Sequence, residues 1–155
     1  MDQFDQFREV TSEIHRLIGI EPKAVLGSDD TRWVTDFDIN GVDMAIMYSK
    51  QDNPYTLSLV CVFGTAGDVN RVEAWTRLLS LNFSLLMSGN GAFTINPKTN
   101  EVVFMAQILI ERLTSQSVLT ALVQLADQAN VWRSTRYLDV AVDAQDVLAL
   151  CTARA

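Results

Sequence analysis

The sequence predicts an α+β domain in the order α-β-β-β-α-β-β-α, a five-stranded, twisted antiparallel sheet with helices packed on it. Three observations lead there. Residues 33–48 alternate at period two around Asn40-Gly41, a preferred pair for a two-residue type I′ hairpin turn. Residues 69–91 carry apolar side chains at helical spacing and end in Gly89-Asn90-Gly91. A second pair of strand-like segments, 92–96 and 101–110, flanks the turn-forming Asn96-Pro97-Lys98-Thr99-Asn100.

Taken in order, residues 4–18 repeat Phe4, Phe7, Val10, Ile14, Leu17 and Ile18 at spacings of three and four, which predicts a helix stopped by Gly19 and Pro22. Residues 20–32 read as a polar connector. In the first hairpin the turn places Ile39 opposite Val42, Phe37 opposite Met44, Thr35 opposite Ile46 and Trp33 opposite Tyr48. All but Thr35 are apolar, so this is the core face. Val34, Asp36, Asp38, Asp43, Ala45 and Met47 take the other face, because a strand's side chains alternate. A third strand, 56–63, points Leu57, Leu59, Cys61 and Phe63 one way and Thr56, Ser58, Val60 and Val62 the other.

The central helix opens at Asn70, with Glu73 at capping-box spacing, and closes at Gly89. Thr114 caps the last helix, with Leu113 and Val118 at staple positions, and Leu119, Leu122, Val123, Ala126 and Ala129 as its stripe. That helix is expected to fray near Arg133. Residues 1–135 form one domain. Residues 136–155 form a C-terminal tail, where Val147, Leu148 and Cys151 allow a short helix.

The central helix is too apolar for a helix that packs on one sheet. On a wheel its apolar side chains and Asn82 span roughly 240°, where about 100° suffices for one buried face. The excess predicts either a helix sandwiched within its own chain or, in preference, a homodimer interface made by Val72, Trp75, Leu78, Leu79, Asn82, Leu85 and Leu86.

Composition excludes several classes. A net charge of −7 and a pI of about 4.5 argue against a nucleic-acid surface, which needs clustered Lys and Arg. The first ten residues lack the basic and apolar regions of a signal peptide, and no apolar run is long enough to span a membrane. Two distant cysteines, Cys61 and Cys151, suggest a reducing cytoplasm.

Catalytic constellations are not apparent. The lone His15 sits at the edge of the first helix stripe. One histidine and two separated cysteines make neither a zinc set nor a triad, and 64–67 lacks a P-loop lysine. Asp36-Phe37-Asp38-Ile39-Asn40-Gly41 matches the first half of an EF-hand loop, but the position of the bidentate Glu holds Met47, and the flanks alternate as strands do. No cofactor or metal is expected.

Leu78-Leu79-Ser80-Leu81-Asn82-Phe83, Gly89-Asn90-Gly91-Ala92-Phe93-Thr94-Ile95 and Glu101-Val102-Val103-Phe104 resemble the class I chaperones of bacterial type III secretion, the tir-chaperone family, which includes the plant-pathogen effector chaperones. The likeness is clearest over residues 72–110, and element order, size and acidic pI extend it over most of the chain. It implies a homodimer in the bacterial cytoplasm that binds the N-terminal segment of a secreted effector and keeps it soluble and secretion-competent, without catalysis. The resemblance also implies a client that winds around the dimer in extended form, its apolar side chains entering surface grooves. Val34, Ala45, Met47, Val60 and Val62 are then the candidate effector-binding floor, with Phe4 and Phe7 of the first helix as a second surface. The same sheet face covered by the chain's own helices stands as an equal alternative. Two other classes remain, a non-secretion protein on the same fold, resembling the YbjN-like bacterial regulators, and a small enzyme using Asp36, Asp38 or His15.

Overall fold

The computed structural model describes residues 2–22, 26–29, 31–68, 70–87, 89 and 91–138. Its elements are helix α1 (Gln3–Leu17), strands β1 (Leu26–Asp29), β2 (Arg32–Ile39), β3 (Val42–Ser49) and β4 (Asn53–Thr65), helix α2 (Arg71–Met87), strands β5 (Ala92–Ile95) and β6 (Glu101–Leu109), a single 3₁₀ turn (Ile110–Arg112) and helix α3 (Ser115–Thr135). The α+β class and the antiparallel sheet are as expected from the sequence. The strands run in the order β1-β2-β3-β4-β6-β5, so β6 lies between β4 and the edge strand β5 that precedes it in the chain. The short edge strand β1 lies in what reads as a polar connector. Its Gly, Ser and Asp carry little strand propensity, and pairing with β2, Gly27 opposite Trp33, makes it a strand.

The first hairpin forms in the predicted register, with Ile39 opposite Val42 and Trp33 opposite Tyr48. Asn40 and Gly41 both have positive φ, 54° and 75°, as a type I′ turn requires. Register decides burial. Phe37, Met44, Ile46, Tyr48, Leu57, Leu59, Cys61 and Phe63 all face one core.

All three helices contribute to that core. From α1, Phe7 stacks on Tyr48 at 5.7 Å and His15 on Phe37 at 4.6 Å. Helix α1 ends where Gly19, at φ 76°, lets its N–H reach the Arg16 carbonyl while the Ile20 N–H reaches that of His15, a Schellman closure. Helix α3 lies over Cys61, whose Sγ is 4.0 Å from the Leu125 carbonyl. Its cap is the predicted Thr114, with Oγ1 accepting from the Ser117 N–H at 3.1 Å and Ser117 Oγ accepting from the Thr114 N–H at 3.2 Å. The α3 stripe is rotated from the expected one. Val118, Ala121, Leu125 and Trp132 join Leu122, Ala126 and Ala129 inside, and Val123 is left on the surface.

Two helix ends differ from expectation. Asn70 accepts the first α2 backbone bond through its carbonyl, but its φ is +57°, outside the extended region a capping box uses. The Glu73 carboxylate pairs instead with Arg77 at 3.0 Å, one turn on. Helix α3 runs through Arg133 to Thr135, because the Arg133 guanidinium is clamped. It donates to the carbonyls of Gly41 at 2.7 Å, Val62 at 3.1 Å and Phe63 at 3.2 Å. Those carbonyls belong to the hairpin turn and to the register shift between Val62 and Gly64, where the ladder leaves acceptors over. Beyond α3, Tyr137 receives the Arg77 guanidinium over its ring at 4.1 Å and Leu138 is buried, so described packing continues past residue 135. The tail helix expected near Val147, Leu148 and Cys151 lies outside the described residues.

Gly91 sits in a tight place. Its φ is +108°, and a Cβ there would stand 2.3 Å from the Met105 carbonyl oxygen, a backbone atom that cannot swing away. Gly19 is also left-handed, but a Cβ on it meets nothing within 4 Å. Gly91→Ala is therefore expected to lower the thermal midpoint far more than Gly19→Ala, whose cost is limited to the backbone preference of roughly 1 kcal/mol. Paired calorimetric melts check this, and equal losses would contradict it.

Candidate binding surfaces

Helix α2 resolves its wide apolar arc into two stripes on opposite sides. Ala74, Leu78, Leu81 and Leu85 point into the core. Val72, Leu79, Phe83, Leu86 and Met87 point outward; Leu79 is 68% and Phe83 72% exposed. The predicted interface set is thereby divided. Val72, Leu79 and Leu86 lie on the outer stripe, and Trp75 and Asn82 are half-buried at its border. Leu78 and Leu85, at 4% and 2% exposure, belong to the chain's own core and are corrected to that role. Phe83 and Met87 belong to the outer stripe and were legible on the wheel.

Asn82 has a specific task. Its Nδ2 donates to the Phe93 carbonyl at 2.9 Å, and its Oδ1 accepts from the Phe93 N–H at 2.7 Å. These backbone groups point away from β6, along the free edge of β5. The side-chain amide satisfies them as a neighbouring strand would. Between α2 and β5 runs a groove of about 490 Å³ lined by Trp75, Leu78, Leu79, Asn82, Phe93, Thr94 and Ile95.

The second surface is the sheet face opposite the core. Among the described residues no helix lies over it. Cross-strand pairing lays out its rows. Val34 pairs with Met47, then Ser58, then Gln107; Asp36 pairs with Ala45, then Val60, then Met105, then Ala92. Val62 pairs with Val103, and Val103 with Thr94. Val34, Ala45, Met47, Val60 and Val62 are all half-buried by their neighbours in the sheet. The face extends onto β6 through Met105 and Leu109, 40% and 52% exposed. Met105 and Leu109 are outside the residues expected on this face, although their alternation with Phe104, Ala106 and Ile108 carries the signal. At one end Arg32, Trp33, Val34, Met47, Tyr48 and Asp52 help to line a groove of about 370 Å³.

The first-helix candidates separate. Phe7 is fully buried and fills the core, which corrects its assignment to a client surface. Phe4 is half-buried against Trp33, centroids 4.2 Å apart, and against Tyr48.

Ionisable groups are placed for packing. His15, expected at the stripe's edge, is 1% exposed, because the helix turns it onto Phe37; its Nδ1 lies 2.8 Å from the Thr11 carbonyl. Burial pushes the Cys61 thiol up to about 12, with the Arg133 guanidinium pulling the other way, so it stays protonated and unreactive at neutral pH. The EF-hand-like stretch is flanked by strands, and the Asp38 carboxylate accepts from the Gly41 N–H at 3.1 Å, serving the turn. Among the described residues no cluster of histidine, cysteine and carboxylate side chains is placed to hold a metal ion.

The structure thus presents two apolar surfaces, one on the outer side of α2 and one on the open sheet face. The model of the Tir chaperone protein (CesT) family matches residues 29–133, and the chain belongs to that family. Its fold is similar to that of chains in several solved complexes. The crystal structure of the ExsC-ExsE complex matches with a TM-score of 0.70 at 19% identity, covering 87% of this chain and 96% of that one. The HopA1-SchA chaperone-effector complex matches with a TM-score of 0.59 at 14% identity, covering 84% and 94%. The ExoT-SpcS complex from Pseudomonas aeruginosa matches with a TM-score of 0.52 at 12% identity, covering 81% and 96%. No curated protein matches the chain's sequence.

The hairpin geometry predicts that calcium leaves stability unchanged. Melts with millimolar calcium and with chelator should coincide. A midpoint that climbs and saturates with calcium would show that Asp36 and Asp38 bind it.

Proposed function

We propose that the protein is a bacterial cytoplasmic chaperone of type III secretion. It binds the N-terminal segment of a secreted effector as a homodimer, without catalysis, and keeps that segment extended and secretion-competent. The observation that carries this reading is the half-buried row of Val34, Ala45, Met47, Val60 and Val62, left uncovered by every described helix. Family membership supports the effector as client. Ordering a disordered client costs about 2–5 kcal/mol or more, so binding needs many apolar contacts at roughly 25 cal/mol per Å². A long, shallow apolar face supplies them, and a small deep pocket does not. Capture of partners from the native cytoplasm, with identification by mass spectrometry, tests the reading. A secreted protein is expected, and its consistent absence would favour a regulatory role on the same fold.

The outer stripe of α2 supports the homodimer. A contiguous apolar stripe suits a two-fold axis, across which each side chain counts twice. Leu79→Asp is expected to give a folded monomer, because Leu79 already stands in solvent. Leu85→Asp is expected to unfold the chain instead, by placing a charge in the core. Sedimentation equilibrium with circular dichroism separates the two outcomes, and a monomeric wild type at micromolar concentration would end the dimer proposal.

Val34 and Met47 are direct cross-strand partners on the open face. Val34→Asp with Met47→Asp should weaken client binding while leaving the dimer and the core intact. With about 1–3 kcal/mol lost per desolvated contact, the pair should shift affinity about a hundredfold or more. Titration calorimetry against the captured partner's N-terminal fragment measures it. A folded double mutant that binds like wild type would move the client elsewhere.

A further inference from the structure

The open sheet face is not uniformly apolar. At the hairpin end stand Asp36, Asp38 and Asp43, all exposed and all on that face. Asp38 and Asp43 are direct cross-strand partners, a like-charge pairing that costs the sheet stability. Asp38 has a local reason, its bond to the Gly41 N–H. Asp36 and Asp43 have none: among the described residues neither makes an ion pair or a side-chain hydrogen bond. Arg133, which reaches the same turn from the helix side, is committed to three carbonyls. At the other end of the face Arg32 and Asp52 neutralise each other at 3.1 Å. The unpaired carboxylates on this face thus gather at one end of the apolar rows, and Asp36 continues the row of Ala45, Val60 and Met105.

We infer that this face selects its client by charge as well as by apolar contact, taking an extended segment whose apolar residues are followed by Lys or Arg. The inference rests on the chaperone reading above and narrows its client class. A segment that covers Ala45, Val60 and Met105 brings its next residues over the carboxylates. An apolar or acidic continuation strips water from them without compensation or adds repulsion, whereas a basic one pairs with them.

Three labelled synthetic peptides test this. They share a Val-Ser-Leu-Ser-Val-Ser-Leu core and end in Lys-Ser-Lys, Ser-Ser-Ser or Glu-Ser-Glu. Fluorescence anisotropy against the full chain should rank them Lys over Ser over Glu, with steps of roughly three- to tenfold at about 50 mM salt that collapse near 500 mM. The Asp36→Asn/Asp43→Asn double variant, its fold checked by circular dichroism, should bind all three alike. Equal binding of the Lys and Ser peptides to wild type, or a Lys preference that survives in the double variant, overturns the inference and leaves apolar docking standing. Failure of every peptide to bind overturns the inference together with the choice of this face. Failure of the chaperone reading itself shows separately, as the absence of a secreted protein among the partners captured from the cytoplasm.

Discussion

The arrangement of surfaces depends on one side chain. Asn82 presents both ends of its amide to the backbone of Phe93 and so fastens α2 to the free edge of β5. The contact does several things at once. It blunts a sheet edge that would otherwise offer unpaired groups to another chain. It fixes the rotation of α2, sending Leu78, Leu81 and Leu85 inward and Val72, Leu79, Phe83 and Leu86 outward. Two residues before Phe93, Gly91 approaches the Met105 carbonyl more closely than a Cβ allows. The Leu-rich helix with Asn, followed by the Gly-rich turn, is therefore one mechanical unit.

A second constraint is one-sidedness. The core is built between a single sheet face and the helices. The Phe4, Trp33, Tyr48 and Phe7 rings close it at one end, and the Arg133 clamp on Gly41, Val62 and Phe63 fastens it at the other. A helix that crossed to the far face would bury Val60 and Met105 and remove the surface on which the proposed function rests. Antiparallel sheets tolerate one solvated face, usually a polar one. Here it is apolar in the middle and acidic at one end, which suits a surface that is wet when free and covered when bound.

Local rules made the hairpin legible. Asn40-Gly41 sets a turn, the turn sets a register, and the register sets two faces, with no long-range information required. The width of the α2 arc was legible too, but not its division. A wheel cannot tell that Leu78 and Leu85 meet the sheet while Leu79 and Leu86 do not, because that depends on where Asn82 anchors the helix. Phe7 and His15 went further inside than their stripe suggested, since Tyr48 and Phe37 rise from the sheet to meet them. Strand β1 was illegible because pairing, not propensity, makes it a strand. Arg133 was misread as a fraying point because its acceptors lie 70 and more residues away in sequence.

The central claim is that the uncovered sheet face receives an extended client. Methyl-resolved NMR of the protein during titration with the captured partner's N-terminal fragment tests it most directly. The account predicts shifts at the methyls of Val34, Met47, Val60, Val62 and Met105, with those of Ile46 and Leu59 on the core face of the same strands left in place. Shifts confined to α2, or spread through the core while the open-face methyls stay unmoved, would contradict it.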